Sequence, residues 1–206
     1  MKKHFIFDMD GTLSDTAKAT YAAFKAVEEK YKLPDITEAD VIRAMGWAGM
    51  DFYRCIYPAL SDELISVMRV ELEEVEQAQI DDLGPDVLFP GVMDMLTALR
   101  QVGCRLYVAS TGGKDHVHGT LNAAGIADFF DSISCGEPAK VAMVQRIVGD
   151  SDPEEWAMIG DMFKDAEAAR GSNIMALGAG FGYLDEEDHK LFDAVLRRPM
   201  DILEYC

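Results

Sequence analysis

The chain is short of several things at once. Its four cysteines, Cys55, Cys104, Cys135 and Cys206, are scattered with no C-x-x-C spacing. Neither a disulfide framework nor a cysteine zinc site is expected. The thiols read as reduced, which fits a cytoplasmic protein. Cations are scarce: 19 Lys and Arg face 37 Asp and Glu, a formal net charge of −18. That field repels nucleic acid and anionic membranes, so neither is expected as a partner. No stretch approaches the ~18 consecutive apolar residues of a membrane span. The N-terminus carries two lysines before an apolar run of only three residues, too short for a signal peptide. Nothing distinguishes a monomer from a homodimer.

What is present is a sizeable apolar fraction, 49% of 206 residues, enough for a substantial core. His4–Phe7 reads as a short strand. From residue 15 to 83 the pattern is helical throughout: 15–31, 37–44, 50–57 and 61–79, the last with Leu64, Met68, Leu72 and Val75 on one stripe. The segment 81–85, Asp-Asp-Leu-Gly-Pro, reads as a loop. From 86 onward strands and helices alternate, with strands over 104–109, 132–134, 156–159, 173–177 and 194–196. A terminal helix follows the last. The acidic cluster Asp185–Asp188 reads as a solvated loop. Alternation of this kind predicts an α/β fold, a Rossmann-like parallel sheet with helices on both faces. The first strand joins that sheet from beyond the helical block. The core therefore spans 1–14 and 84–206, with 15–83 an inserted α-helical cap.

In open α/β sheets, chemistry gathers beyond the carboxyl ends of the strands. The first strand ends in Asp8-Met9-Asp10-Gly11-Thr12, and the second in Ser110-Thr111-Gly112-Gly113. Lys140 opens the helix after the third, and the fourth runs into Gly160-Asp161 with Asp165 beyond. Carboxylates crowded on one rim repel one another unless a cation sits among them, and all-oxygen ligation suits Mg²⁺. The inferred site uses Asp8, Asp161 and the main-chain carbonyl of Asp10. With Lys140 it makes a cationic socket in an acidic protein, as a phosphoryl group requires. Residues i and i+2 of an extended chain face the same way, so Asp8 and Asp10 can address one phosphate. Blander readings exist: a polar turn for DMDGT, a helix N-cap for Ser110, dipole complementation for Asp165. The ordered recurrence of acidic motifs at two strand ends outweighs them.

These motifs resemble those of the haloacid dehalogenase superfamily phosphatases. D-M-D-G-T-L-S-D at 8–15 looks like the first motif, Ser110 the second, Lys140 the third and G-D-M-F-K-D at 160–165 the fourth. The text around Lys140 is E-P-A-K, where family members commonly show K-P-x-P. The helical block resembles the cap of the phosphoglycolate phosphatase and β-phosphoglucomutase subgroup. The resemblance implies that Asp8 is the nucleophile, forming an aspartyl-phosphate. Asp10 is then the acid and base, oriented by Thr12. Ser110 donates to the phosphate, lined also by Met9, Thr111 and Gly112; Lys140 neutralises charge; and Asp165 holds Lys140 or a metal water. The loop carrying Arg43, Gly46 and Trp47 would select substrates.

Within the superfamily, the acid at Asp10 points to phosphate chemistry rather than dehalogenation. No lysine lies between Lys32 and Lys114, so this loop supplies no Schiff base, although Lys18, Lys25 and Lys30 remain on the first cap helix. No histidine lies between His4 and His116, which weakens a phosphosugar mutase. His116 and His118, at i and i+2, do not share a helix face and read as surface or core-edge residues. The cap's few bases, Arg43, Arg54 and Arg69, suggest a substrate lacking a second bulky anionic group. The expectation is a Mg²⁺-dependent phosphatase acting on a small phosphorylated metabolite. A mutase and a non-catalytic phospho-accepting domain are the alternatives.

Overall fold

β1 (His4–Phe7) lies at the middle of the sheet although it comes first in the chain. The computed structural model describes Met1–Cys206. It shows six parallel strands in the order β3-β2-β1-β4-β5-β6, the others being β2 (Arg105–Ser110), β3 (Ser132–Cys135), β4 (Trp156–Gly160), β5 (Met175–Ala179) and β6 (Ala194–Leu196). Register places Phe7 beside Val108 on one side and Ile159 on the other. The ends of β1, β2 and β4 therefore share one rim.

Strand periodicity sorts the core into two layers. Phe5 and Phe7 of β1, Leu106 and Val108 of β2, and Ala157 and Ile159 of β4 pack into one cluster. Their alternates Ile6, Tyr107, Ala109, Trp156 and Met158 enter a second cluster on the opposite face. The first layer is closed by α5 (Val92–Gln101) and α6 (Lys114–Ala123), the second by α7 (Lys140–Val148) and α8 (Phe163–Gly171). Both faces of each central strand are buried, which is why these strands read as continuous apolar runs.

Between β1 and β2 come α1 (Ala17–Tyr31), α2 (Glu38–Ala44), α3 (Met50–Ile56) and α4 (Asp62–Leu83), with no strand among them. They build a third cluster around Phe24, Tyr53, Tyr57, Met68 and Leu72, whose buried members all fall within 17–72. Local signals start these helices. Thr37 accepts from the Asp40 amide while the Asp40 carboxylate accepts from the Thr37 amide, a reciprocal cap. Ser61 caps α4.

Two expectations need correction. Residues 81–83 continue α4 rather than forming a loop. The buried row is Ile65, Met68, Leu72, Glu76 and Ile80, so the inward stripe runs a turn further than expected and leaves Leu64 and Val75 at its margin. Gly84, at φ +54, ends the helix. The expected terminal helix is Pro199–Tyr205, with 3₁₀ geometry. The acidic stretch at 185–188 is largely exposed, as expected, and Glu186–Leu191 forms a short 3₁₀ turn.

Phe7 is fully buried between the layers at the site end of β1. Phe7→Ala should lower the free energy of unfolding by about 3–5 kcal/mol, read as a reduced urea midpoint with the slope unchanged.

Candidate active site

Parallel strands deliver their last residues to one edge. Asp8 follows Phe7 directly, Ser110 ends β2, Asp161 follows Gly160, and Lys140 begins α7 beyond β3. All four are buried. The chain can leave β1 sharply because Gly11 sits at φ +80. A Cβ there would lie 2.3 Å from Asp161 Oδ2, so only glycine fits.

The Lys140 ammonium is the hub. Its Nζ stands 2.7 Å from Asp8 Oδ2 and 2.7 Å from Asp165 Oδ1. Asp165 also accepts from the Met162 amide at 3.0 Å, so both of its oxygens are engaged. Asp161 Oδ1 accepts from the Thr12 hydroxyl at 2.8 Å. Its Oδ2 is buried with no hydrogen-bond partner. Oxygens of Asp8, Asp161 and Asp165 lie within 4.8 Å of one another.

Three carboxylates share one lysine here, and the electrostatics record the deficit. Burial, opposed by Lys140, pushes Asp8 up to about 7. Burial and then the charges of Asp8 and Asp165 push Asp161 well above the usual carboxylate range. Burial alone would lower Lys140, but Asp165 and Asp8 outweigh it and raise it. An orphaned oxygen in a carboxylate-rich pocket is a missing cation's signature. Mg²⁺ fits this donor set. Asp165 is spent on Lys140 and Met162, leaving Asp8 and Asp161 as side-chain ligands, while the Asp10 main-chain carbonyl accepts no hydrogen bond.

Asp10 departs from expectation in its partners. Thr12 turns to Asp161 and not to Asp10, because Gly11 reverses the chain between them. Instead the Thr16 hydroxyl donates to Asp10 Oδ1 at 2.6 Å, and His116 Nε2 stands 3.0 and 3.1 Å from its two oxygens. His116 Nδ1 is 3.8 Å from Glu76 Oε2, and Glu76 in turn accepts from Thr20. Burial would raise Asp10, but the His116 charge and the hydrogen bonds from His116 and Thr16 bring it below the ordinary range. Burial opposes protonation of His116, yet Asp10 and Glu76 hold it up to about 10. Burial raises Glu76.

His116 and Glu76 were missed by sequence reasoning, though each left a signal. Residues i and i+2 on a helix face apart, so with His118 exposed His116 is turned inward, at the first turn after the Ser110 strand. Glu76 falls four residues after Leu72 and four before Ile80, on the apolar row of α4.

Ser110 Oγ accepts from the Gly112 amide at 3.1 Å, which shapes the turn beside the rim. Thr111 Oγ1 donates to the Gly46 carbonyl at 3.4 Å, and Lys164 Nζ donates to the same carbonyl at 2.7 Å. The Gly46–Trp47 loop is therefore seated on the core rim, and Gly46 packs so closely that a Cβ would lie 2.3 Å from Met162 Sδ. Arg43 is not brought to this place: it pairs with Asp40 at 2.5 Å on an exposed surface. Lys18, Lys25 and Lys30 are likewise engaged in exposed ion pairs with Asp15, Asp35 and Glu71. Met9 is fully buried in the sheet layer, so only its main chain can serve the rim.

A family model described as haloacid dehalogenase-like hydrolase matches residues 5–179. Among curated proteins, a phosphoglycolate phosphatase of Synechococcus elongatus is 27% identical over 206 residues, covering 97% of this chain and 94% of that protein. Pyrophosphatase PpaX of Listeria innocua is 29% identical over 210 residues, covering 96% and 93%. Among solved structures, a predicted phosphoglycolate phosphatase from Haemophilus somnus superposes with a TM-score of 0.85 at 20% identity, over 98% of this chain and 97% of that one. A β-phosphoglucomutase from Clostridium difficile gives 0.80 at 23% identity, over 100% and 97%.

The raised carboxylates set a pH test. Asp8 and Asp161 bind protons more tightly folded than unfolded, so their contribution to stability is present below about pH 4 and is lost as pH rises through about 7. A divalent cation favours the ionised forms. The rise in melting temperature on replacing EDTA with Mg²⁺ should be several degrees larger at pH 8 than at pH 5, and Asp161→Asn should abolish the difference.

Proposed function

The chain belongs to the haloacid dehalogenase-like hydrolases, a family matched along 5–179, and from that premise we propose that it is a phosphatase that hydrolyses small phosphate monoesters at Asp8. The observation that carries this reading is Lys140 clamped between Asp8 and Asp165 beside the unpartnered Asp161 Oδ2. Residues 15–83 would act as a cap over a core of 1–14 and 84–206. When bound by Asp8, Asp161 and the Asp10 carbonyl, Mg²⁺ would supply positive charge that offsets carboxylate–phosphate repulsion.

The residues then divide the work. Asp8, in the ionised form that Lys140 favours against burial, attacks phosphorus and forms an aspartyl-phosphate. Ser110 is placed at the turn where its hydroxyl can donate to a phosphoryl oxygen, and the amides of Met9, Asp10 and Thr111 donate to no other protein group. Asp10 and His116 hold one proton between them across 3.0 Å, with His116 the stronger base. The pair can release that proton to the leaving oxygen through Asp10. The ionised Asp10 can then accept one from the water that attacks the phospho-aspartate. The Gly46–Trp47 loop on the rim excludes bulk water between the steps.

The alternatives fare less well. The inserted helices bring Thr16 to Asp10 and Glu76 to His116, and contribute no histidine, which disfavours a phosphosugar mutase. A phospho-accepting domain that stores phosphate gains nothing from an acid–base pair two residues from its acceptor.

Asp8→Asn should reduce hydrolysis of p-nitrophenyl phosphate in Mg²⁺ by at least about 10³-fold while far-UV circular dichroism is unchanged. Unaltered turnover would remove Asp8 from the reaction. His116→Gln should lower kcat by about 10- to 100-fold with KM within about threefold, since it removes a proton store and not a substrate contact.

A further inference from the structure

Lys164 stands apart from the other cations at the rim. It is the second residue of α8, three places beyond Asp161 and next to Asp165. Its Nζ donates to the Gly46 carbonyl at 2.7 Å and lies 4.2 Å from the centre of the Trp47 ring. Among 37 acidic residues it has none within ion-pairing distance. Lys140 is different: it is committed to two carboxylates. Lys164 is half-buried in the seam between the core rim and the Gly46–Trp47 loop, held only by a carbonyl dipole and an aromatic face. Both partners are neutral, and an anion entering the seam would bind the ammonium better than either.

A leaving group on a phosphoryl held at Asp8 would extend out of the rim toward this seam. Asp8, Ser110 and Lys140 form the floor on which a phosphoryl group would rest, and the Gly46–Trp47 loop faces that floor. One carbonyl, Gly46 O, receives both Thr111 of the phosphate turn and Lys164. Burial first, and then the nearby Lys140 ammonium, lower the Lys164 pKa, as expected for a second positive charge close to the first.

Resting on the phosphatase reading, we propose that Lys164 is a specificity-determining residue that binds an anion on the leaving group, so that short esters carrying a second negative charge are preferred. The inserted helices' few bases suggest the opposite preference, but the cation comes from the core. Trp47, 44% exposed, limits the length of what fits between ring and rim.

The experiment measures kcat/KM in Mg²⁺ for 2-phosphoglycolate and for 2-hydroxyethyl phosphate, which differ by carboxylate against hydroxymethyl. Pyrophosphate tests a phosphoryl group as the second anion, and p-nitrophenyl phosphate is the common reference. The wild-type chain should favour an anionic compound over 2-hydroxyethyl phosphate by about 10- to 100-fold. Lys164→Met should collapse that ratio to within about threefold, mainly through KM, and Lys164→Arg should retain much of it. A ratio lost for 2-phosphoglycolate identifies a carboxylate as the recognised group, and one lost for pyrophosphate a phosphoryl group. If the wild type shows no preference, or Lys164→Met slows every compound by one factor, Lys164 only fastens the loop and the assignment is overturned. Wild-type turnover of p-nitrophenyl phosphate separates the two readings. Turnover without anion preference removes the role of Lys164 alone, whereas no turnover of any compound removes the phosphatase as well.

Discussion

A buried ammonium between two carboxylates is the constraint on which the rim depends. Lys140 at 2.7 Å from both Asp8 and Asp165 neutralises one charge where three carboxylates converge. Buried charges of this kind are held in place by their partners, and removing one leaves the rest uncompensated. The surroundings follow from that need. Asp165 is fully enclosed and takes a main-chain amide on its second oxygen. Thr12 satisfies one oxygen of Asp161, and the other has no hydrogen-bond partner. Gly160 sits beside this packing, where an added Cβ would collide with Asp165 at 2.1 Å. The result is a buried cluster with more carboxylates than cations.

A second polar chain runs away from the rim: Thr16 and His116 on Asp10, then Glu76, then Thr20. It joins β1's exit loop, a core helix and two inserted helices. Asp10 is therefore positioned from both stretches of the chain, by Thr16 and by His116 with Glu76 behind it, whereas Asp8 is held by Lys140.

The sheet was legible from sequence because each central strand is an apolar run ending abruptly in polar residues. Strand limits at 4–7, 156–159 and 194–196 agree with the structure to within a residue. The convergence of Asp8, Ser110, Lys140, Asp161 and Asp165 was also legible, since parallel strands share a rim by topology. Side-chain partners were not. Thr12 and Thr16 both follow Asp10 closely, and only the reversal at Gly11 decides that Thr16 reaches it. His116 is separated from Asp10 by 106 residues, so no local pattern links them. Lys164 carries no signal of its own in the sequence, because the loop it grips, Gly46–Trp47, lies in a different part of the chain.

The placement of β1 has a consequence for how the polypeptide reaches this state. Its hydrogen-bonding neighbours are residues 105–108 and 156–159, so β1 has no strand to pair with until about half of the 206 residues have been made, and its second neighbour comes later still. Meanwhile α1 to α4 have only short-range contacts to make among themselves, apart from their seams with the core. The nascent protein should assemble its middle before its beginning. Phe5, Ile6 and Phe7, wholly enclosed in the finished molecule, spend that interval as an adhesive apolar tip, and a ribosome-associated chaperone that shields such segments would protect it.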